Sequence, residues 1–322
     1  MELVGQMLDG KTLALSRVIS IIEGEGNEVS HIMKLIYPRT GKAYCIGVTG
    51  PPGAGKSTII DKLITLIRHQ GLKVGIIAVD PSSPFTGGAV LGDRIRMQQH
   101  YLDEGVFVRS MATRGSMGGL PQTAGSVIKA LDASGKDIIL IETVGVGQSE
   151  LDIMENADTV IVILAPEFGD AIQAMKAGLL EIADIFVLNK ADRPGASDFA
   201  IELQAMLELR PKQEWKVPII TTEAINNVGI EELYHQVERH RQALRETGQL
   251  SLRRRQQRRD ELIKTIKQKI VGQLLKSVKQ DGELSRYIEQ VEKGEIDPYS
   301  AADEILKSPS LLTSWLHQAR PD

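Results

Sequence analysis

The segment GPPGAGKS, at residues 50–57, constrains the fold of this 322-residue chain more than any other feature of its sequence. It follows the apolar run Cys45–Thr49 and precedes apolar residues at helical spacing, the strand, loop and helix context in which glycine-rich loops bind polyphosphates. Glycines let backbone N–H groups turn toward the phosphates, and the helix N-terminus adds its positive dipole. Lys56 is expected to reach the β- and γ-phosphate oxygens, and the Ser57 hydroxyl to ligate Mg²⁺. The segment therefore predicts a nucleoside triphosphate site.

Short apolar, β-branched runs alternate with helical stretches from Tyr44 onward, which is typical of a parallel sheet covered on both faces. The runs predicted as strands are Cys45–Thr49, Val74–Val79, Val106–Ser110, Ile138–Ile141, Thr159–Leu164, Ile185–Leu188 and Val217–Thr221. Two short amphipathic helices, Leu13–Ile22 and Val29–Ile36, are predicted before the first strand, and charged helices after Gly229. We expect an α/β fold, a P-loop NTPase with a mainly parallel sheet flanked by helices and with helical N-terminal and C-terminal extensions.

A second motif, Asn189-Lys190-Ala191-Asp192, directly follows the predicted strand Ile185–Leu188. A carboxylate at Asp192 accepts hydrogen bonds from both N1–H and the N2 amino group of guanine. Adenine instead presents an acceptor at N1, which a carboxylate repels. Together with the glycine-rich loop, this motif predicts GTP rather than ATP as the ligand.

Carboxylates at the ends of two other predicted strands are candidates for a metal site. Asp80 begins a loop of small residues that continues to Asp93, and Glu142 precedes Gly145, whose amide can sense a γ-phosphate. Turn and N-cap roles are the alternative for the two aspartates. Val146 stands where Ras-like enzymes carry a water-orienting glutamine, so slow intrinsic hydrolysis is expected.

Composition excludes several other classes of protein. The chain has 38 basic and 42 acidic side chains, a net charge of −4 that argues against a nucleic-acid partner. The single thiol, Cys45, cannot form an internal disulfide or a thiolate metal cage. The longest strongly apolar stretch, Val160–Ala165, is too short to span a bilayer, and no signal peptide is evident. We expect a cytoplasmic protein with no membrane partner. For the arginines crowded between residues 253 and 259 we expect a solvated helix face, with contact to an acidic partner as the alternative.

Several segments together resemble the MeaB/ArgK family of P-loop GTPases, which belongs to the SIMIBI class. They are GPPGAGKST, VDPSSPFTGGAVLGDRIRM, RSMATRGSMGGL, ETVGVGQSE, GDAIQAMKAGLLEIAD and NKAD. The resemblance covers nearly the whole chain. It implies a GTP hydrolase that acts as a chaperone for an adenosylcobalamin-dependent acyl-CoA mutase, chiefly methylmalonyl-CoA mutase. It also implies three segments: a helical segment at 1–42, a GTPase domain at 43–247, and a helical extension at 248–322 that builds a homodimer.

The resemblance further implies roles for individual residues. Those expected to bind GTP or GDP are Gly50, Gly53, Ala54, Gly55, Lys56, Ser57, Thr58, Gly145, Asn189, Lys190, Asp192 and Ala224. Those expected around Mg²⁺ are Ser57, Asp80, Asp93 and Glu142, and Lys56 and Glu142 are the expected catalytic residues. Ala224 would offer its backbone amide to guanine O6, although Glu223 replaces the usual serine and brings a carboxylate near that oxygen. A third switch would run from Gly169 to Lys176, with Gln173 and Lys176 as transmitters to the mutase or, alternatively, as an exposed helical face.

Two other functions stay open at this point. One is an ATP-driven kinase or transport ATPase of the ArgK type, against which Asn189 and Asp192 argue. The other is a nucleotide-dependent scaffold with negligible hydrolysis. A metal chaperone is not favoured, because the histidines are scattered and the only thiol is Cys45. No Asp-x-His-x-x-Gly motif surrounds any histidine, so the chain is not expected to carry a corrinoid as the mutases do.

Overall fold

The computed structural model describes residues 2–80, 97–113, 120–145, 148–166, 178–210, 214–278 and 282–308. Within these residues a single seven-stranded sheet has the order β3-β2-β4-β1-β5-β6-β7, and every pair of neighbours is parallel. The strands are β1 (Tyr44–Thr49), β2 (Val74–Asp80), β3 (Val106–Ala112), β4 (Ile138–Glu142), β5 (Thr159–Leu164), β6 (Ile185–Asn189) and β7 (Ile219–Thr222). Six of the seven predicted apolar runs lie within these strands, and the P-loop NTPase fold is confirmed. The seventh, Val217–Thr221, begins two residues too early, because β7 starts at Ile219.

Helices connect the strands and extend the chain at both ends. Those in the described residues are α1 (Glu2–Leu8), α2 (Thr12–Glu23), α3 (Glu28–Ile36), α4 (Lys56–His69), α5 (Ala124–Ala133), α6 (Leu179–Ile182), α7 (Ala196–Glu208), α8 (Ile230–Glu246), α9 (Gln249–Val278), α10 (Gly282–Glu292) and α11 (Pro298–Lys307). The two predicted N-terminal helices correspond to α2 and α3. The prediction missed α1, which has only seven residues and contains Gly5, so it offers little helical periodicity to detect.

Side chains alternate between the two faces of the sheet, so each face has its own core. On one face Ile46, Val48 and Leu140 pack in a cluster with residues of α4 and α8. On the other face the cluster joins residues of α1, α2 and α3 with residues of α5, α6 and α7. Val18 and Ile22 of α2 are fully buried in that second cluster. The N-terminal helices are therefore part of the core of the nucleotide-binding fold.

Polar residues end several of the buried strands. Thr49, Asp80, Glu142 and Asn189 are the last residues of β1, β2, β4 and β6, and all four are buried. Because the strands are parallel, their carboxyl ends lie at the same edge of the sheet. This edge gathers the candidate site residues.

The opposite edge, where the strands begin, carries a network of ion pairs that the sequence analysis did not foresee. Arg254 Nη2 contacts Asp158 Oδ2 at 2.6 Å, and Arg253 Nη1 contacts Asp184 Oδ2 at 3.0 Å. The expectation of a solvated arginine face is therefore wrong for Arg253 and Arg254. These guanidinium groups satisfy carboxylates that precede β5 and β6, and the side chain of Arg254 is only 21% exposed.

The chain divides into two compact units, residues 1–254 and 255–322. In the second unit α10 contacts α11, and Asp297 caps α11 by accepting hydrogen bonds from the amides of Tyr299 and Ser300 at 2.9 and 3.0 Å. The division at 1–42, 43–247 and 248–322 stays a prediction. Among the described residues, none of the helices combines the length and apolar character needed to cross a membrane.

Candidate nucleotide-binding site

The loop between β1 and α4 depends on glycine at positions where it approaches neighbouring strands. Gly50 and Gly55 have φ angles of 138° and 99°, a region that other residues rarely adopt. A Cβ atom on Gly50 would overlap the carbonyl of Ile163 in β5, and one on Gly55 would overlap the side-chain amide of Asn189. The loop can therefore lie against β5 and β6 and point its backbone amides toward a phosphate only with these glycines in place.

Lys56 occupies the first position of α4 and turns back over the loop. Its Nζ donates to the carbonyl oxygens of Gly50 at 2.8 Å and Pro51 at 3.2 Å, and the residue is 7% exposed. Gly145 has a φ angle of 85°, and a Cβ atom there would overlap Lys56 Nζ. The ammonium group is thus held between the glycine-rich loop and the start of the segment after β4, where a charge on a phosphate would meet it.

Ser57 and Glu142 form the centre of the candidate metal site. Ser57 Oγ donates to Glu142 Oε1 at 2.7 Å, and both residues are buried. Glu142 lies opposite Ala78 in the β2–β4 ladder, so Asp80, two residues beyond Ala78, faces the same side of the sheet. A hydroxyl and carboxylates are the oxygen ligands that Mg²⁺ prefers, and this ion usually keeps several waters and binds substrate phosphates as well.

Among the described residues, no group of three or more His, Cys, Asp or Glu side chains could hold a metal ion. The donor set of Ser57, Asp80 and Glu142 fits the ion in its chemistry. Asp93, the remaining predicted ligand, lies outside the described residues.

Asn189 joins the phosphate end of the site to the expected base end. Its Nδ2 donates to the carbonyl of Ala54 at 2.8 Å. Its Oδ1 accepts from Thr222 Oγ1 at 3.0 Å and from the Ala224 amide at 3.1 Å. The amide that was expected to bind guanine O6 therefore donates to Asn189 in this structure, and its role toward the base stays a prediction.

At the base end, Lys190 and Ala191 fix the loop after β6 relative to the end of β7. Lys190 has a φ angle of 59°, and the Ala191 amide donates to the carbonyl of Thr222 at 3.1 Å. These features turn the chain so that the exposed Asp192 follows directly beyond the buried end of β6. The carboxylate of Glu223 accepts from Asn226 Nδ2 at 3.1 Å, so it is engaged within its own turn.

The structure brings most of the predicted residues to the carboxyl edge of the sheet. They are Gly50, Gly53, Ala54, Gly55, Lys56, Ser57, Thr58, Asp80, Glu142, Gly145, Asn189, Lys190, Asp192 and Ala224. Residues that lie outside the description are Asp93, Val146, and Gly169 to Lys176, with Gln173 and Lys176 among them. The sequence analysis missed Thr222, the partner of Asn189, although its place as a polar residue at the end of a strand is the same signal that marks Asp80 and Glu142.

Comparisons with known proteins identify the family. The family model described as "Methylmalonyl Co-A mutase-associated GTPase MeaB" matches residues 15–279. The chain belongs to the MeaB family. A Pyrococcus abyssi protein provisionally named a GTPase is 51% identical over 311 residues, which cover 95% of each chain. The GTPase ArgK of Escherichia coli is 35% identical over 282 residues, 85% of each chain.

Two less similar proteins also match this MeaB-family chain over most of its length. A mouse protein named "Methylmalonic aciduria type A homolog, mitochondrial" is 30% identical over 321 residues, which cover 94% of this chain and 77% of that protein. A crystal structure described as an LAO/AO transport system kinase has a TM-score of 0.71 and 27% identity, and the match covers 95% of this chain and 96% of that one. The family match and the relatives named as GTPases show that the MeaB-family chain is a P-loop GTPase.

Proposed function

We propose that this MeaB-family GTPase hydrolyses Mg²⁺-bound GTP at the carboxyl edge of its sheet. We further propose that its nucleotide state gates the loading and protection of adenosylcobalamin in an acyl-CoA mutase such as methylmalonyl-CoA mutase. The observation that carries the first part is the buried hydrogen bond between Ser57 and Glu142 beside the ammonium group of Lys56. The family description as mutase-associated supports the second part.

Phosphate binding begins with residues that are already close to their working positions. Lys56 would exchange its bonds with the carbonyls of Gly50 and Pro51 for the β- and γ-phosphate oxygens. The loop amides would contribute further donors, and together these groups stabilise the charge that develops on the transferred phosphoryl group. Because the groups are held in place by the fold, little reorganisation is needed when the nucleotide arrives.

The oxygen atoms of Ser57, Asp80 and Glu142 would hold Mg²⁺, which neutralises phosphate charge when it is bound. Ser57 donates its hydroxyl hydrogen to Glu142 at 2.7 Å, which leaves the lone pairs of Oγ directed elsewhere. Glu142 thereby orients Ser57 as a metal ligand. The longer reach of a glutamate compared with an aspartate would let Glu142 hold the ion through a water molecule rather than directly.

Selectivity for guanine would come from Asp192, which can accept two hydrogen bonds from N1–H and the N2 amino group. Asn189 supports this end by holding Ala54, Thr222 and Ala224 at 2.8 to 3.1 Å. A change at Asp192 should therefore alter which base binds, while a change at Asn189 should loosen both ends of the site.

A cytoplasmic homodimer is part of this proposal. Along α9 the side chains of Leu262, Ile266 and Ile270 are 60%, 47% and 55% exposed. Their spacing of four residues places them on one face of the helix, and exposed apolar patches commonly mark protein interfaces. This stripe supports self-association through residues 248–322.

The test is GTP hydrolysis measured with and without methylmalonyl-CoA mutase from the same organism. We expect slow phosphate release from the protein alone, acceleration at saturating mutase, and no acceleration when Lys56→Ala replaces the wild-type protein. ATP in place of GTP should give little product. Unchanged turnover over the full range of mutase concentrations would count against the mutase as partner while leaving GTP hydrolysis intact.

A kinase is the second candidate, favoured by the description of the 27%-identical crystal structure as a transport system kinase. GTP and, in a parallel reaction, ATP, each labelled at the γ-phosphate, separate the two functions, because hydrolysis releases all of the label as inorganic phosphate. Transfer of the label to a protein would favour the kinase. A nucleotide-dependent scaffold predicts neither product beyond a single turnover.

A further inference from the structure

One buried hydroxyl on β3 has no hydrogen-bond partner among the residues that the structure describes. Ser110 Oγ is buried and makes no hydrogen bond to any of the residues that the structure describes. Buried polar atoms are almost always hydrogen-bonded, and leaving one unsatisfied destabilises the folded protein. The unsatisfied hydroxyl therefore needs a physical explanation, and a hydrogen-bond partner that arrives with a ligand is one.

The register of the sheet places Ser110 on the face that carries the nucleotide. Ser110 lies opposite Ala78 of β2, which in turn lies opposite Glu142 of β4. Val106, four residues earlier on β3, belongs to the core cluster on the α4 side, so by alternation Ser110 faces α4 as well. Asp80 is two residues beyond Ala78 and shares this face.

The neighbouring residues of β3 show that the opposite face is used differently. Arg109 donates to Glu23 Oε1 of α2 at 2.9 Å, and Met111 is buried in the cluster with the N-terminal helices. These contacts fix the orientation of the strand from its other side. Ser110 is consequently held toward the metal site by packing that does not involve its own hydroxyl.

Distances along the sheet decide how Ser110 can act. With strands about 4.8 Å apart and a rise of about 3.3 Å per residue, its Cα lies roughly 8 Å from that of Asp80 and roughly 10 Å from that of Glu142. A serine side chain is too short to ligate an ion held by Ser57 and Glu142 from this position. It can reach a water molecule that belongs to the hydration shell of such an ion.

We propose that Ser110 is a positioning residue of the magnesium site, and that its hydroxyl hydrogen-bonds a water molecule coordinated to Mg²⁺ beside Asp80. Mg²⁺ gives up its water reluctantly and usually retains several, so an outer partner for one of these waters is chemically expected. Residues that orient the ligands of a metal affect its affinity by about 10- to 100-fold. The inference rests on the proposed function, because it requires Mg²⁺ to bind with GTP.

The proposal makes opposite predictions for the protein with and without its ligands. Without nucleotide, Ser110→Ala removes a hydroxyl that has no partner, so the melting temperature should stay the same or rise. With Mg²⁺ and a non-hydrolysable GTP analogue, the variant lacks a contact that the wild type gains. The magnesium-dependent rise in melting temperature should therefore be smaller in the variant.

The experiment is a Mg²⁺ titration followed by thermal melting, at a fixed, saturating concentration of the analogue. We expect Ser110→Ala to raise the half-saturating Mg²⁺ concentration about tenfold or more, with unchanged binding of the analogue in EDTA. Ser110→Thr keeps a hydroxyl and suits a strand, so it should titrate like the wild type. Ser134→Ala removes a hydroxyl that donates to the carbonyl of Leu131 at 2.7 Å, and should leave the titration unchanged.

An unchanged Mg²⁺ titration in Ser110→Ala would overturn the proposal, whatever the melting temperature of the ligand-free variant. Weaker binding of the analogue in EDTA would also overturn it, because the hydroxyl would then contact the nucleotide or a protein group instead. If the proposed function itself is wrong, the wild-type protein will show no magnesium-dependent rise in melting temperature. If only the Ser110 proposal is wrong, the wild type will respond to Mg²⁺ and Ser110→Ala will respond equally.

Discussion

The two ends of the sheet both concentrate buried polar groups, but they use them differently. At the amino end, Asp158 accepts hydrogen bonds from the Cys45 amide at 2.9 Å and from Arg254 Nη2 at 2.6 Å. At the carboxyl end, Lys56 is held by backbone carbonyls and Ser110 Oγ makes no hydrogen bond within the described residues. Charges that meet opposite charges stabilise the fold at the amino end, whereas the carboxyl end contains a buried hydroxyl, that of Ser110, which the described residues leave without a hydrogen bond.

The amino end also contains a chain of neutral hydrogen bonds. Burial raises the pKa of Tyr44, so its hydroxyl keeps its proton and can donate to Thr159 Oγ1, 2.6 Å away. Thr159 Oγ1 in turn lies 2.8 Å from His240 Nδ1, and His240 Nε2 lies 3.4 Å from Asp184 Oδ1. A neutral imidazole with its hydrogen on Nε2 leaves Nδ1 as an acceptor for the Thr159 hydroxyl and places its N–H group on the nitrogen nearer to Asp184. Burial lowers the pKa of His240 despite the nearby Asp184, which agrees with that assignment.

The largest effect on the carboxyl end should follow from Lys56→Ala. Loss of the ammonium group removes a donor that faces the transferring phosphoryl group, so GTP hydrolysis should fall by at least about a thousandfold. Phosphate release measures the loss, and size-exclusion chromatography should show the same oligomeric state as the wild type. Lys62→Ala, on the same helix but outside the loop, is the matched control. Undiminished turnover in purified Lys56→Ala would remove this residue from the catalytic machinery.

The largest effect on the amino end should follow from Asp158→Ala. Removing the buried carboxylate leaves the partly buried Arg254 and the Cys45 amide without their partner, and we expect a cost of about 1–3 kcal/mol of unfolding free energy. Urea unfolding measures this quantity. Asp303→Ala breaks an exposed pair with Lys307, in which both side chains are more than 70% exposed, and should cost less than about 1 kcal/mol.

Lys56→Ala and Asp158→Ala together test whether GTP hydrolysis depends on the carboxyl end of the sheet alone. GTP hydrolysis by folded Asp158→Ala, measured well below its melting temperature, should match the wild type. A large loss of hydrolysis with intact folding would show that the amino end takes part in catalysis and would break the comparison.

A smaller effect should come from Asp192→Asn at the base end. The substitution replaces an acceptor by an amide that can donate, so it suits the C2 carbonyl of xanthine better than the C2 amino group of guanine. We expect a preference for xanthosine triphosphate over GTP, with a change in relative affinity of about a hundredfold or more. Competition binding measures it, and Asp198→Asn, an exposed aspartate on α7, should retain the wild-type preference. An unchanged ratio would separate Asp192 from base recognition.

Sequence patterns predicted the carboxyl end better than the amino end for a physical reason. The glycine-rich loop and the Asn189 motif are local, so their residue types and spacing are visible in a short window. The strands nevertheless extend beyond several of the predicted runs, because Asp80, Glu142 and Asn189 continue their ladders as polar residues. A polar side chain ends an apolar run in the sequence without ending the backbone pairing.

The amino end could not be predicted because its partners are far apart in the chain. A cluster of arginines has the same sequence pattern whether it is solvated or lies against carboxylates, and only the fold brings Arg253 to Asp184 and Arg254 to Asp158. The bond between the Ala224 amide and Asn189 Oδ1 is a similar case. It depends on how two loops meet at the edge of the sheet, which residue types alone do not determine.

The smallest predicted effect concerns the pH dependence of stability at the amino end. The pKa of His240 is lowered by burial and by Arg253, although Asp184 and Asp158 oppose the shift. Unfolded His240 therefore gains its proton near the ordinary pKa of about 6.5, while the folded form gains it only at lower pH. Its contribution to stability should be complete above this pKa and decrease as the pH falls below it.

His240→Gln keeps hydrogen-bonding groups near Thr159 and Asp184 but does not titrate. Between pH 7.5 and 5.5, the melting temperature of the wild type should therefore fall by a few degrees more than that of His240→Gln. His69→Gln, at the exposed end of α4, should keep the wild-type slope. Equal slopes in wild type and His240→Gln would mean that folding does not shift the pKa of the imidazole. A wild-type melting temperature that instead rises relative to that of His240→Gln as the pH falls would mean that the imidazole already carries a charge in the folded protein. In that case His240 would form an ion pair with Asp184 in place of its part in the neutral hydrogen-bonded chain. The amino end would then be stabilised mainly by opposite charges, which would increase its difference from the nucleotide site.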